Sequence, residues 1–171
     1  MPMQDISRPL DVFPPSNGVQ THMDIVFVGN LPPVEGFVRP GVLLDVREFL
    51  SSGALPELSA VAQGCAVVLR TGWEERFGTD DYDRCPDLGY ELIDALLERG
   101  AKLLLVDSPG LQGGARGETH NRMDTHVVER GAVAVEHLCN LEGLPQRFTL
   151  YCFPMAVQQL NWLPARVVAG Y

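Results

Sequence analysis

Seven short runs of apolar, largely β-branched residues recur along the chain at 24–28, 41–46, 66–70, 102–106, 132–135, 148–153 and 165–169, each bounded by Gly, Pro or Asp. Runs of this length and composition predict strands. A strand with one face in water alternates apolar and polar residues, because successive side chains point to opposite faces. These runs scarcely alternate, so both faces need cover, as in a parallel or mixed α/β sheet and unlike a meander of one-sided hairpins. Helical patterns fall between them. Residues 88–99 set Leu92, Ile93, Leu96 and Leu97 on one stripe, with Gly100 placed for a left-handed cap. A second helix is expected at 46–52 or 57–62, the two separated by Pro56, and a third at 121–130 ending at Gly131. The segments 30–41, 77–86 and 110–117 are rich in Gly, Pro and Asp and long enough to carry a site.

A chain of 171 residues with 46% hydrophobic content predicts a single domain over 1–171. At that size about 70% of the unfolded surface is buried, which excludes disorder as the main state. Thirteen Lys and Arg against 22 Asp and Glu give a net charge of −9, a surface that repels phosphate backbones and anionic lipids. Neither nucleic acid nor a membrane is an expected partner; a small-molecule substrate is. The first ten residues lack the basic and apolar regions of a secretory signal, and no run of about 18 apolar residues could span a bilayer. Cys65, Cys85, Cys139 and Cys152 show no CxxC spacing and read as reduced thiols of a cytoplasmic protein.

Three constellations could carry chemistry. His22 and Asp24 stand two apart at the start of the first strong strand, hence on one face, as a ligand pair for Zn or Mn or as a surface ion pair. His120 and Asp124, four apart, share a helix face, and Glu136 ends an apolar strand that would bury it. A buried carboxylate needs a cation, an Arg or a shared proton, unless it is a cap or part of a surface salt bridge. His126 points off that helix face, and His137 is expected to be exposed. Trp73 ends a strand and is followed by Arg76 and Tyr82, reading either as a pocket wall that stacks on a planar substrate or as the edge of the core. No P-loop, GxGxxG turn or GxSxG elbow is present, and Ser108 in Asp107-Ser-Pro-Gly110 reads as part of a turn.

The ordered set Asp5-Ile-Ser, Thr21-His-x-Asp24, Leu44-Asp-Val-Arg47, Val68-Leu-Arg-Thr-Gly-Trp73, Pro86-x-Leu88, Glu98-Arg-Gly100, Val106-Asp-Ser-Pro109, Val135-Glu-His-Leu-Cys-Asn-Leu141, Leu144-Pro145, Arg147-Phe148 and Pro164-Ala-Arg-Val-Val-Ala169 resembles the putative cyclase family of metal-dependent hydrolases. That family includes kynurenine formamidase and isatin hydrolase. The resemblance implies an α/β domain of the swivelling β/β/α type, a mixed sheet with few flanking helices. It also implies a homodimer or homotetramer and one or two Zn or Mn ions that hydrolyse an amide or related acyl bond.

Against the family pattern HxGTHxDxPxH this chain keeps Thr21, His22 and Asp24. It has Gly18 and Val28 in place of the two outer histidines, Gln20 in place of Gly and Val26 in place of Pro. Downstream, Glu136 matches the family's Glu, but Asp124 stands where the family has a His twelve residues earlier. The stretch from Asp5-Ile-Ser to Thr21 is also short for the family, as a trimmed variant or a lost start would make it. By resemblance, His22, Asp24 and Glu136 bind the metal, one ion rather than two, and His120 or Asp124 completes the site or moves protons. The substrate is a small amide, lactam or lactone gripped near Trp73 and Tyr82. A histidine lost to Val28 removes a proton shuttle, a role worth roughly 10²–10⁴-fold. The other reading is therefore a non-catalytic member that serves as a binding or assembly subunit.

Overall fold

The apolar runs form strands, and the sheet they make closes on itself. A computed structural model describes residues 1–9, 20–24, 33–113, 118–155 and 162–171, without the side chains of 118–121. The strands are β1 (Met3–Asp5), β2 (His22–Asp24), β3 (Val38–Asp45), β4 (Ala66–Arg70), β5 (Leu103–Val106), β6 (Val133–Glu136), β7 (Arg147–Pro154) and β8 (Trp162–Gly170). Three helices accompany them: α1 (Arg47–Ser52), α2 (Gly89–Glu98) and α3 (Glu118–Glu129). β3, β4, β5 and β6 are parallel neighbours; β7 and β2 run antiparallel at either side of this block, and β8 joins both. The circuit β8-β2-β6-β5-β4-β3-β7 thus returns to β8, a seven-stranded barrel, and β1 extends along the same edge of β8 as β2.

The barrel wall separates two cores. Inside lie Met23, Ala66, Val68, Leu103, Leu105, Val133, Val135, Leu150, Cys152 and Val167. Outside, Val42, Leu44, Val67, Leu69, Leu104, Val106 and Ala134 pack under Leu92, Ile93 and Leu96 of α2 and Met123 and Val127 of α3. The parallel strands read as unbroken apolar runs because helices cover their outer face. β8, with no helix over it, alternates buried and more exposed positions. This is the mixed α/β sheet with few flanking helices that the sequence predicts.

The structure chooses between the two helix alternatives, adds one strand and leaves most of one expected strand outside the described residues. The 57–62 segment is a turn, with the Val61 amide on the Leu58 carbonyl, and the helix before β4 is α1. The Gly64 amide, at the end of this segment, is committed to the Gly100 carbonyl. β1 escapes sequence detection because it is a three-residue strand with two of its three positions exposed. Of the strand expected at 24–28, Asp24 ends β2 and residues 25–28 lie outside the described residues. α2 stops where expected, Gly100 taking φ 87°. All four cysteines are free, and burial pushes the Cys85 and Cys152 thiols up to about 12. Among the described residues, no helix is long and apolar enough to cross a membrane.

Gly41 is fixed by space. It pairs directly with Phe148 across β3 and β7, and a Cβ there would collide with the Phe148 ring. Gly41→Ala is expected to destabilise the protein by about 1–3 kcal/mol, the usual cost of overpacking, read from the urea midpoint at unchanged slope.

Candidate metal centre

β2 and β6 pair antiparallel with His22 opposite Glu136 and Met23 opposite Val135. Met23 and Val135 face the barrel interior. His22 and Glu136 therefore stand side by side on the outer face, cross-strand neighbours within about 5.5 Å at Cβ. Asp24, two residues along β2, joins them on that face. α3 packs over β6 through Met123 and Val127 and brings Asp124 down on the same spot. His22 Nε2 is 3.7 Å from Asp24 Oδ1 and 3.6 Å from Glu136 Oε2. One oxygen each from Asp24, Asp124 and Glu136 lie within 4.8 Å of one another, as do one ligand atom each from His22, Glu136 and His137. All five residues are buried.

Main-chain bonds aim the two imidazoles. His22 Nδ1 lies 2.9 Å from the Gln20 carbonyl, which can only accept, so Nδ1 carries the proton and Nε2 turns its lone pair to the carboxylates. His137 follows Glu136 and in a regular strand would point the other way. Its φ of 58° folds it back onto the site, and it is 1% exposed, which corrects the expectation that it is exposed. Its amide donates to the Ser108 carbonyl (3.0 Å), and its carbonyl accepts from Thr21 Oγ1 (2.7 Å). The Thr21 hydroxyl also accepts from the Arg8 amide (2.7 Å), so one buried side chain ties β1's exit to the turn after β6. Tyr82 Oη meets His137 Nδ1 at 2.9 Å, and burial pushes the phenol's pKa well above its ordinary value. A neutral phenol therefore holds that ring.

Trp73 supports this arrangement. Its Nε1 donates to the Tyr82 carbonyl (2.8 Å), while Arg76 covers its ring at 4.6 Å. Asp107 secures the neighbouring turn: its carboxylate accepts from the Thr71 amide (2.8 Å), the Thr71 hydroxyl (2.6 Å) and the Gly72 amide (2.8 Å). Burial nonetheless pushes its pKa up, outweighing those bonds.

Of the residues singled out in the sequence, Asp24, Asp124 and Glu136 come together, His22 joins them through Glu136 and Asp24, and Tyr82 reaches the cluster through His137. His120 lies one turn before Asp124 on α3, with its side chain outside the described residues. His126 is directed away, its Nε2 2.6 Å from Asp94 on α2. Two residues were not anticipated. His137 was missed because strand alternation predicts the wrong face; the clue was its type, since His is enriched at positive φ. Trp162, opposite Asp24 across β2 and β8, places its ring 5.5 Å from that of His22, and only the strand register reveals it.

Burying three carboxylates side by side is costly without opposite charge. A divalent cation would supply that charge, and carboxylate with imidazole donors suits Mn or Zn. The residues present thus fit a metal.

Residues 11–112 match the family model described as putative cyclase. The chain belongs to the putative cyclase family. Solved structures agree on the fold. Isatin hydrolase A from Labrenzia aggregata, bound to benzyl benzoate, aligns at TM-score 0.73 and 20% identity over 98% of this chain and 93% of its own. A predicted metal-dependent hydrolase from Bacillus stearothermophilus aligns at 0.69 and 15% over 98% and 97%. A potential metal-dependent hydrolase with cyclase activity aligns at 0.67 and 16% over 98% and 96%. No curated protein matches the chain. In this cyclase-family chain Asp124, twelve residues before Glu136, lies in one cluster with Asp24 and Glu136. The substituted positions Gly18, Val26 and Val28 lie outside the described residues.

Thr21→Val removes both bonds that the hydroxyl makes while keeping its shape. It is expected to cost about 2 kcal/mol in urea unfolding, whereas Thr21→Ser stays within about 1 kcal/mol of the parent.

Proposed function

We propose that this cyclase-family protein is a metal-dependent hydrolase of a small amide, lactam or lactone. Two buried triads that share Glu136, one with His22 and His137 and one with Asp24 and Asp124, carry the reading. His22, Asp24 and Glu136 would hold one Zn or Mn ion, and Asp124 would complete the donor set. When bound, such an ion supplies a water acidified to a pKa of about 7 and polarises an acyl oxygen.

The protein's own groups do the rest. The Gln20 carbonyl keeps His22 in the tautomer that exposes Nε2. Tyr82 and the Thr21 hydroxyl hold His137 against the site from two sides. Trp162 and Tyr82 offer aromatic surface beside the imidazoles for a planar substrate, and Trp73 keeps Tyr82 in place. With Val28 where the family has its outer His, turnover is expected to be slow relative to an intact family site, by roughly the 10²–10⁴-fold that such a group contributes.

The test is hydrolysis of formanilide and of isatin by Mn- or Zn-loaded protein. Measurable turnover that His22→Ala and Glu136→Gln each abolish, with both variants still folded, is the expected result. Metal-loaded protein that hydrolyses neither compound, but gains formanilide hydrolysis when His is placed at positions 18 and 28, would instead favour the non-catalytic binding subunit.

A further inference from the structure

The segment 73–82, between β4 and α2, brings the Tyr82 hydroxyl to His137. It is a run of turns, with the Phe77, Thr79 and Tyr82 amides donating to the Glu74, Arg76 and Thr79 carbonyls. Outside sheet and α-helix, such a segment keeps its place through bonds to more rigid elements. Half-buried Glu74 makes two of them to the turn after β6: the Asn140 amide donates to its Oε2 and the Leu141 amide to its Oε1 (3.3 Å). That turn is itself fixed. The Leu138 amide donates to the Val106 carbonyl (3.0 Å), the Cys139 amide to the Ile6 carbonyl (3.1 Å) and Asn140 Nδ2 to the Asp5 carbonyl (2.9 Å). At Asn140 the backbone turns left-handed, φ 58°, and a carboxylate gives two successive amides charged acceptors. The next link is Trp73, beside Glu74 in the chain, whose Nε1 donates to the Tyr82 carbonyl (2.8 Å). On the other flank the Arg8 guanidinium stacks on Phe77 at 3.8 Å, and Phe77 meets Tyr82 edge-on with ring centroids 5.2 Å apart.

We propose that Glu74 is a positioning residue: by pinning residues 73–76 to the turn after β6 it holds the Tyr82 hydroxyl on His137. It acts through Trp73 and the main chain, from outside the acidic cluster. The carboxylate matters because it offers an oxygen to each of the two amides. A carboxamide has one oxygen for two donors and turns an NH₂ towards the second. Releasing the pin frees the 3-10 turn, and with it the indole that keeps the Tyr82 carbonyl in place. This rests on the hydrolase reading only for turnover, since the anchoring needs neither metal nor substrate.

The experiment follows indole N–H exchange in metal-free protein by NMR. The chain has two tryptophans, so Trp162 serves as the internal reference for Trp73. Glu74→Ala is expected to speed Trp73 exchange by about tenfold or more, the factor that loss of hydrogen bonds to a charged acceptor gives a local opening, and to leave Trp162 unchanged. Cross-relaxation between the Tyr82 and His137 ring protons should weaken in the same variant. Glu74→Gln, which keeps one acceptor, should fall between, and it stands in if the alanine variant does not fold. In Mn- or Zn-loaded protein that hydrolyses formanilide, Glu74→Ala should raise KM about threefold or more with kcat little changed, the mark of lost binding surface rather than lost chemistry. Unchanged Trp73 exchange in both variants, or Trp73 and Trp162 speeding up together as in a general loosening, would overturn the proposal. Trp73 alone released, with no turnover in the parent, would sustain the role of Glu74 and contradict the hydrolase reading.

Discussion

The pairing of β2 with β6 is the constraint on which the rest depends. With His22 opposite Glu136, the polar residues of both strands face outward beneath α3, and Met23 and Val135 fill the barrel. A slip of one residue would reverse this, putting imidazole and carboxylates into the apolar interior and Met23 outside. The register is secured from three sides. β2 is sandwiched between β6 and β8; the Thr21 hydroxyl joins the Arg8 amide to the His137 carbonyl; and the Leu138 amide continues onto the Val106 carbonyl.

The two faces of the wall divide the labour. The inner face is almost wholly apolar and draws on all seven strands of the barrel, so it supplies hydrophobic stabilisation with few polar obligations. The outer face is apolar under α2 and becomes polar only at its β2–β6 end, where α3 descends. A cluster of buried acidic groups is tolerable at that seam because rigid elements surround it. α3 is tied to α2 by His126 and Arg130, which both meet Asp94, and the turn bearing Tyr82 is tied to Trp73. Positioning is thus delegated to groups outside the acidic cluster itself.

Much of this was legible in the sequence because it depends on local periodicity. The apolar runs marked the strands, the leucine stripe marked α2, and the two-residue spacing of His22 and Asp24 placed both on one face. The helical period likewise put His126, two residues beyond Asp124, on another face. What escaped detection depends on long-range pairing or backbone exceptions. Closure of the sheet rests on β8 meeting both β2 and β7, about 140 and 15 residues away along the chain, which no local pattern encodes. β1 is too short to show a period. His137 reached the site through a positive φ that overrides strand alternation, and Trp162 through a register visible only in the folded sheet. Asp124 needed both the family resemblance and the fold: spacing proposed it, and the packing of α3 placed it.

The central claim is that the carboxylates and imidazoles around Glu136 form one cation site, and metal binding to the purified protein tests it most directly. Calorimetric titration of the chelator-treated protein with MnCl₂ and ZnCl₂ is predicted to show about one equivalent of at least one metal bound at micromolar or lower concentration, with His22→Ala and Glu136→Gln each weakening it at least tenfold. If neither metal binds at micromolar concentration, or if both variants bind as the parent does, the account is contradicted.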